Sequence, residues 1–337
     1  MENLLVNKVA AVKEVRQAAE YQKKKQACIL TGLAGSSKPV FFAAADKLLG
    51  GKGSMAFITA SREEIRTYRR ELNYLYPDLP MQELYPVSLP RVQADTQSLE
   101  LQAGRAAALS FLSGEERGIV FITAEALQQK QLRPSGMSGK ALQLAVGEEH
   151  EQRNIAAALL DLGYERTEQV DALGQFCLRG DILDVYPINS STAVRIEWFD
   201  NELDAMRSFD VDTQRSLQTL TSIKIAPLKV DESFSYDADI FEYCAADTMV
   251  VVDEPVHVFS MLEKLDKENK EHASELFGKQ ELIEQLAANG AVLVSALGHS
   301  YLQQLPSLNI PVRAVAPYNK NTNLLVEDLQ NWLAEGI

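Results

Sequence analysis

Residues Ile29–Val40 read ILTGLAGSSKPV: an apolar run, a glycine-containing turn, and a lysine where a phosphate-binding loop would carry one. Such a loop, G-x-x-x-x-G-K-[ST], uses its second glycine to wrap backbone N–H groups around phosphates and its hydroxyl to hold magnesium. Gly32 fits the first position and Lys38 the lysine, with Gly35 between them. Ser37 stands where the second glycine belongs, and Pro39 where the hydroxyl belongs. Proline brings neither a hydroxyl nor an N–H, so a phosphate donor and the magnesium ligand vanish together. Three readings stay open: a working NTPase, a relic loop, or an ordinary strand–helix turn. The two substitutions weigh against the first and leave Lys38 expected in solvent. A second near-miss follows the apolar run Val250–Val252, where Asp253-Glu254-Pro255 resembles the acidic pair that holds magnesium and orients water in phosphoryl transfer. Asp-Glu-Pro is also a common way to leave a strand. The two near-misses gain weight only as a pair in the right order.

A different chemistry is available between Gly147 and Leu228, where the basic residues are Arg153, Arg166, Arg179, Arg195, Arg207, Arg215 and Lys224. Arginine's planar fork suits bidentate pairing with carboxylates across an interface. The competing reading for each is an ion pair inside its own domain, with acids such as Asp181 or Glu197. Trp198 and Phe199 are expected in the core. Cys28, Cys177 and Cys244 lie far apart in apolar stretches and read as buried free thiols in a reducing compartment. The four histidines show no metal-ligand spacing, so no metal site is expected.

These residues need elements to hold them. The chain has 337 residues, 46% apolar and 24% charged, which is ordinary globular usage. No apolar run approaches the ~18 residues of a membrane span, and no signal peptide is visible; a cytoplasmic protein is expected. The net charge of −14 disfavours tight nucleic-acid binding, which draws its affinity from a basic surface. A first block, 1–134, alternates helix and strand. Leu5, Val9, Val12, Val15 and Ala19 sit at helical spacing over 5–25; Ala27–Thr31, Met55–Thr59 and Gly118–Thr123 read as buried strands; helices are predicted over 39–49 and from Arg62 to about Tyr76. This alternation implies a parallel sheet. A Pro/Ser/Gly-rich linker at Arg133–Lys140 leads to a second block, 140–228. It has one helix (Glu149–Leu162) and short strands at hairpin spacing, with Val194, Ile196 and Trp198 facing one way and a two-residue turn at Asp200-Asn201. A third block, 229–337, returns to α/β alternation with strands Thr248–Val252 and Ala291–Ser295. Its last helix, Leu324–Leu333, ends in Glu335-Gly336-Ile337, and the chain is expected to stop mid-domain.

The segment Gly174–Ser216, with GQFCLRGDILDVYP and VRIEWFDNELDAMRSFDVDTQRS, is very similar to the second domain shared by UvrB and the bacterial transcription-repair coupling factors (Mfd). The continuation Thr213-Gln214-Arg215-Ser216 resembles the coupling factors more than UvrB. The loop LTGLAGSSKP likewise resembles their degenerate loop. The match runs through the whole chain in the order 1a–2–1b and weakens after residue 255. Tyr186 and Trp198 stand where the family usually has Phe, and Asp200-Asn201 where it has Gly-Asp; strand and turn character are kept. The resemblance implies an α/β fold: a degenerate P-loop, RecA/helicase-like parallel-sheet domain split in two by a small, mainly antiparallel β-rich domain. It further implies docking of domain 2 on UvrA, with Arg179 as the matched arginine of the Arg-Gly motif, Arg166 as a second, and Tyr186 and Arg195 as weaker candidates. No catalytic residue and no cofactor are expected in this chain. ATP and magnesium would serve motor domains elsewhere, RNA polymerase and DNA would be bound by domains outside it, and the module would pack on the translocase. The alternative is an active UvrB-type ATPase or helicase subunit.

Overall fold

A computed structural model describes residues 4–89, 99–114, 116–134, 141–190, 192–228, 236–296, 304–312 and 321–335. Most of the predicted linker, 135–140, lies outside the described residues.

The first stretch gives α1 (Leu4–Ala10), α2 (Lys13–Lys23), β1 (Cys28–Thr31), α3 (Ser37–Leu48), β2 (Met55–Thr59), α4 (Arg62–Leu75), β3 (Met81–Leu84), α5 (Leu99–Ser113), β4 (Ile119–Thr123), α6 (Ala124–Gln128) and a short β5 (Gln131–Leu132). The single helix predicted over 5–25 is two. Val12 adopts an extended conformation between them, and α1 and α2 both pack on α3. That break shifts the buried stripe: Val6 and Ala10 are buried while Leu5 and Val12 are exposed, and Val15, Ala18 and Ala19 continue it. The α4 start follows rule: Ser61 and Glu64 form a capping box.

Next come β6 (Leu142–Ala145), α7 (Gln152–Asp161), β7 (Glu165–Arg166), β8 (Gln175–Arg179), β9 (Ile182–Val185), β10 (Ala193–Phe199), β11 (Glu202–Phe209), β12 (Ser216–Leu220) and β13 (Ser222–Ile225). The last stretch supplies β14 (Tyr236–Ala238), β15 (Met249–Asp253), α8 (Pro255–Glu268), α9 (Lys279–Ala288), β16 (Val292–Ser295), β17 (Ser307–Asn309) and α10 (Thr322–Glu335).

The main sheet has the order β17-β1-β16-β15-β2-β4-β3, parallel throughout. Strands from before and after the β-rich stretch alternate within it: β1 lies between β17 and β16, and β15 pairs with β2. Its five inner strands are nearly continuous apolar runs because both faces are covered. One face packs under α1–α4 through Val6, Val15, Phe41, Phe42, Ile65 and Leu72. The other packs under α5, α6, α8 and α9 through Leu109, Leu112, Leu127, Val258 and Leu282.

The second sheet runs β12-β11-β10-β9-β8-β7, antiparallel except for the β7–β8 pair. Val194, Ile196 and Trp198 alternate into a core shared with Ile155 and Leu159 of α7, as the period-2 pattern predicts. At the Asp200-Asn201 turn only Asp200 takes positive φ, 55°. The pairing shifts after Glu197, which leaves Asp204 as an extra residue. A small apolar contact of Ala103 and Ala106 with Ile188 and Ala226 joins α5 to the β-rich part. The fold is therefore a mixed α/β arrangement with a large parallel sheet and a separate, mainly antiparallel one.

Candidate functional site

The two near-miss motifs meet. In a parallel sheet, ligands bind beyond the carboxyl ends of the strands, where successive helices leave to opposite faces. Here α3 follows β1 onto one face, and α8 follows β15 onto the other. Lys38, in the first turn of α3, spans this crevice. Its Nζ donates to Asp253 Oδ1 at 2.6 Å and to Glu254 Oε1 at 2.8 Å. Lys38 is only 8% exposed, so the expectation of a solvated lysine is corrected. Its environment is set by β15, two strands away and 215 residues on, which local sequence does not reveal.

Glu254 is built for this contact. It caps α8 in the left-handed region, φ 42°, a strained conformation for a non-glycine residue. Its carboxylate also accepts the Ala296 N–H at 3.0 Å and the Ser295 hydroxyl at 3.3 Å. Burial pushes its carboxyl up, but Lys38 and these donors outweigh burial and hold it below the usual range. Burial likewise pulls the Lys38 ammonium down, and Asp253 and Glu254 raise it above its usual value. Tyr68 of α4 borders the cluster: its hydroxyl is buried near Asp253 and, among the described residues, makes no hydrogen bond of good geometry. Burial first, and then the nearby Asp253 charge, push that phenol up.

The loop itself is closed on its own atoms. The Ala34 N–H donates to Ser37 Oγ at 2.9 Å, and that hydroxyl donates back to the Ala34 carbonyl at 2.7 Å. The Ser37 N–H is taken by the Ala34 carbonyl and the Lys38 N–H by that of Gly35; Pro39 has none. Gly32, φ 86°, is a glycine for a separate reason, since a Cβ there would lie 2.7 Å from the Ile310 carbonyl oxygen leaving β17. Gly35, φ 53°, has open space around it.

The second candidate site is the face of the antiparallel sheet away from α7. Cross-strand register sets Cys177, Asp184, Arg195 and Arg207 in one row and Arg179, Ile182, Glu197 and Ala205 in the next. One half is roofed by a small cluster of Val170, Cys177, Ala193 and Phe209, against which Tyr186 packs. The other half, with Arg179, Ile182, Glu197 and Phe199, is open. Asp184 organises both. Only 1% exposed, it accepts Arg195 Nε at 2.7 Å and Nη2 at 2.8 Å, and Arg179 Nη2 at 2.9 Å. Arg195 also stacks over the Phe209 ring at 4.7 Å. Arg207 pairs with Glu197.

Residues 142–230, which contain this sheet, match the UvrB interaction domain family. The chain is 36% identical over 203 residues to the transcription-repair-coupling factor of Bacillus subtilis (strain 168), a match covering 60% of this chain and 17% of that protein. It is 28% identical over 165 residues to that of Escherichia coli (strain K12), covering 49% and 14%. For Staphylococcus haemolyticus the identity is 32% over 202 residues, covering 59% and 17%. Over these stretches the chain is similar to the N-terminal region of transcription-repair-coupling factors, and it spans about a sixth of the length of these relatives.

The residues singled out from sequence fall into separate places. Arg179 is half-exposed, at 53% of its side chain, with one nitrogen on Asp184. Arg195 makes two bonds to Asp184 and is 20% exposed. Arg166 is exposed on the edge strand β7, and among the described residues its side chain makes no hydrogen bond or ion pair. Register aligns it with Phe176, a core residue, so it lies on the alternate side from Arg179. Phe199, expected in the core with Trp198, is 71% exposed. Its parity along β10 is that of Arg195 and Glu197, one step out of phase with the buried row. Asp184 was missed; a lone acid inside the apolar run ILDVY, opposite Arg195 on the next strand, was the available signal. Cys28 and Cys244 are free, and burial pushes each thiol up to about 12. Among the described residues no cluster could hold a metal, and no helix is long and apolar enough to cross a membrane.

Proposed function

We propose that this chain is a non-catalytic, cytoplasmic recruiting module of a transcription-repair coupling factor, and that it binds the excision-repair protein UvrA through its β-rich domain. The carrying observation is that the UvrB interaction match, 142–230, coincides with a sheet whose open half-face presents Arg179. The arrangement of α/β blocks around that sheet supports domains at 1–134, 140–228 and 229–337, the outer two forming one RecA-like unit descended from a P-loop ancestor. The motor that uses ATP and magnesium, and the contacts to RNA polymerase and DNA, belong to domains outside this chain. The module packs back on the translocase.

Docking is tested by titrating the chain with purified UvrA. Arg179→Ala weakens binding by about 2–5 kcal/mol if its guanidinium becomes desolvated against a partner carboxylate, with little change in melting temperature, because a half-exposed pair adds only ~0–1 kcal/mol to stability. Since Arg166 lies on the alternate side, the Arg166→Ala effect adds to that of Arg179→Ala instead of overlapping it. Parent-like affinity in Arg179→Ala would place the interface elsewhere.

The absence of catalysis rests on the self-closed loop. Phosphoryl transfer needs oriented donors and magnesium, yet the amides of residues 34, 37 and 38 are spent within the loop and Lys38 is neutralised by two acids. Calorimetry with Mg-ATP gives no saturable heat; a micromolar dissociation constant would overturn this reading.

A further inference from the structure

We propose that the crevice at the carboxyl end of the parallel sheet is a cation site filled by the chain's own Lys38 ammonium, and that it takes a hard divalent cation once that ammonium is removed. Docking on UvrA neither requires this site nor follows from it. A magnesium–nucleotide pair does not fit the crevice. It needs a loop hydroxyl for the metal and free loop amides for the phosphates, whereas Pro39 supplies neither and the amides of residues 34, 37 and 38 are bonded within the loop. The acidic half of the crevice is intact, and three observations give it the character of a cation site.

The first is convergence. Asp253 closes β15 and Glu254 follows it. Successive residues of a strand point to opposite faces, so adjacent acids there ordinarily diverge. The left-handed conformation of Glu254, φ 42°, ends the alternation. Asp253 Oδ1 and Glu254 Oε1 then meet at one point, the Lys38 Nζ, 2.6 Å and 2.8 Å away. Backbone strain of this kind persists only where the surroundings hold it. The second observation is what holds it. Glu254 Oε2 accepts the Ser295 hydroxyl at 3.3 Å, and its Oε1 accepts the Ala296 N–H at 3.0 Å. The Glu254 N–H donates to the Val294 carbonyl at 2.8 Å, and Asp253 is in register with Val294 on β16. Both acids are therefore anchored from the β16 side and keep their places without Lys38.

The third is charge. Lys38 brings one positive charge to two negative ones, and among the described residues no other basic side chain lies within ion-pair distance of either acid. The surplus reaches Tyr68, whose hydroxyl is buried beside them. Burial first, and then the charges of Asp253, Glu254 and Glu71, push its phenol up. A crevice with a negative surplus repels phosphate and attracts cations. Carboxylates and hydroxyls are the hard oxygen donors that magnesium, manganese and calcium ions take. With the ammonium gone, a divalent ion matches the two carboxylates charge for charge and fills the rest of its shell with water. The Tyr68 hydroxyl, which makes no hydrogen bond of good geometry among the described residues, is a further oxygen at that point.

The test uses manganese(II) as the probe, its free concentration read by electron paramagnetic resonance, on the full chain as parent, Lys38→Ala and Lys38→Ala with Glu254→Gln. Thermal melts are run with and without the metal. The parent is expected to bind manganese only at the weak level of its many surface acids. Lys38→Ala gains a single site at least about tenfold tighter than that background, and its melting temperature rises with added manganese, as binding to the folded state alone requires. The double variant loses both effects. Calorimetry of Lys38→Ala with ATP in the absence of metal gives no saturable heat, which separates a cation site from a nucleotide site. If Lys38→Ala does not fold alone, manganese is expected to restore its circular dichroism, and failure to do so overturns the proposal. A folded Lys38→Ala that binds manganese no better than the parent overturns it too, as does a tighter site that survives Glu254→Gln. A tight manganese site already present in the parent would show that Lys38 does not fill the crevice.

Discussion

Replacing Lys38 by methionine is expected to destabilise the fold by about 3–5 kcal/mol, because removing one member of a buried ion cluster leaves uncompensated charge behind. The side chains involved are nearly closed to solvent: Lys38 and Asp253 are 10% and 9% exposed and Glu254 is 21% exposed. Methionine keeps the length of the stem, so packing is held roughly constant and the charge is what changes. The pH dependence gives the sign. Glu254 is held below its ordinary 4.5, so its contribution is complete above that value and is lost as pH falls through the lowered one. Lys38 is raised above 10.5, so its contribution is complete below 10.5 and disappears as pH rises through the raised value. The parent cluster therefore stabilises across the window between those two values and weakens on the acid side. In Lys38→Met the acid limb reverses, since protonating the abandoned Glu254 carboxylate removes its uncompensated charge. Adding Glu254→Gln should recover part of the loss at neutral pH. Urea unfolding at neutral pH and below pH ~4 decides the matter; a neutral-pH stability of Lys38→Met within about 0.5 kcal/mol of the parent, the range of ordinary surface substitutions, would show that the cluster is not a fastening.

The same cluster marks the boundary of what the sequence discloses. The motif reading picked out Lys38, Asp253 and Glu254, which the fold brings together. It placed Lys38 in water because a lysine's surroundings are set by whichever strand ends beside it. That neighbour, β15, comes from beyond the whole β-rich stretch. Periodicity served well where burial is one-sided or complete: Val194, Ile196 and Trp198 alternate inward, and the runs MAFIT and IVFIT are buried strands. It failed where strands have neither signature. Met81–Leu84 reads MQEL behind a proline, and Ser216–Leu220 is an exposed edge; both are strands through pairing with a neighbour, a property of the partner and not of their own residues. Phe199 failed for a related reason. Two adjacent aromatics at a strand end point to opposite faces, and nothing local says which face a helix will cover.

Removing the Asp184 carboxylate is the second large effect expected. Asp184→Ala should cost about 3–5 kcal/mol, the range for breaking a buried pair. The loss is carried mainly by Arg195, whose side chain is 20% exposed and would keep its charge with no carboxylate opposite. Arg179, half in water, contributes little to that figure. Asp184→Asn preserves shape and one acceptor, so it should be milder and leave enough folded chain for binding work at low temperature. There the positioning role becomes visible. Arg179 is aimed along the open face by its single bond to Asp184, and with that bond weakened the guanidinium must be ordered by the partner alone. Asp184→Asn should therefore weaken UvrA binding although Asp184 is too buried to touch it. Combining it with Arg179→Ala should add little to the affinity loss of Arg179→Ala, because both changes remove the same oriented contact. Fully additive losses would show that Asp184 acts through the stability of the sheet and not through Arg179. An unchanged affinity for Asp184→Asn, with Arg179→Ala impaired, would show that the arginine finds its partner without being held.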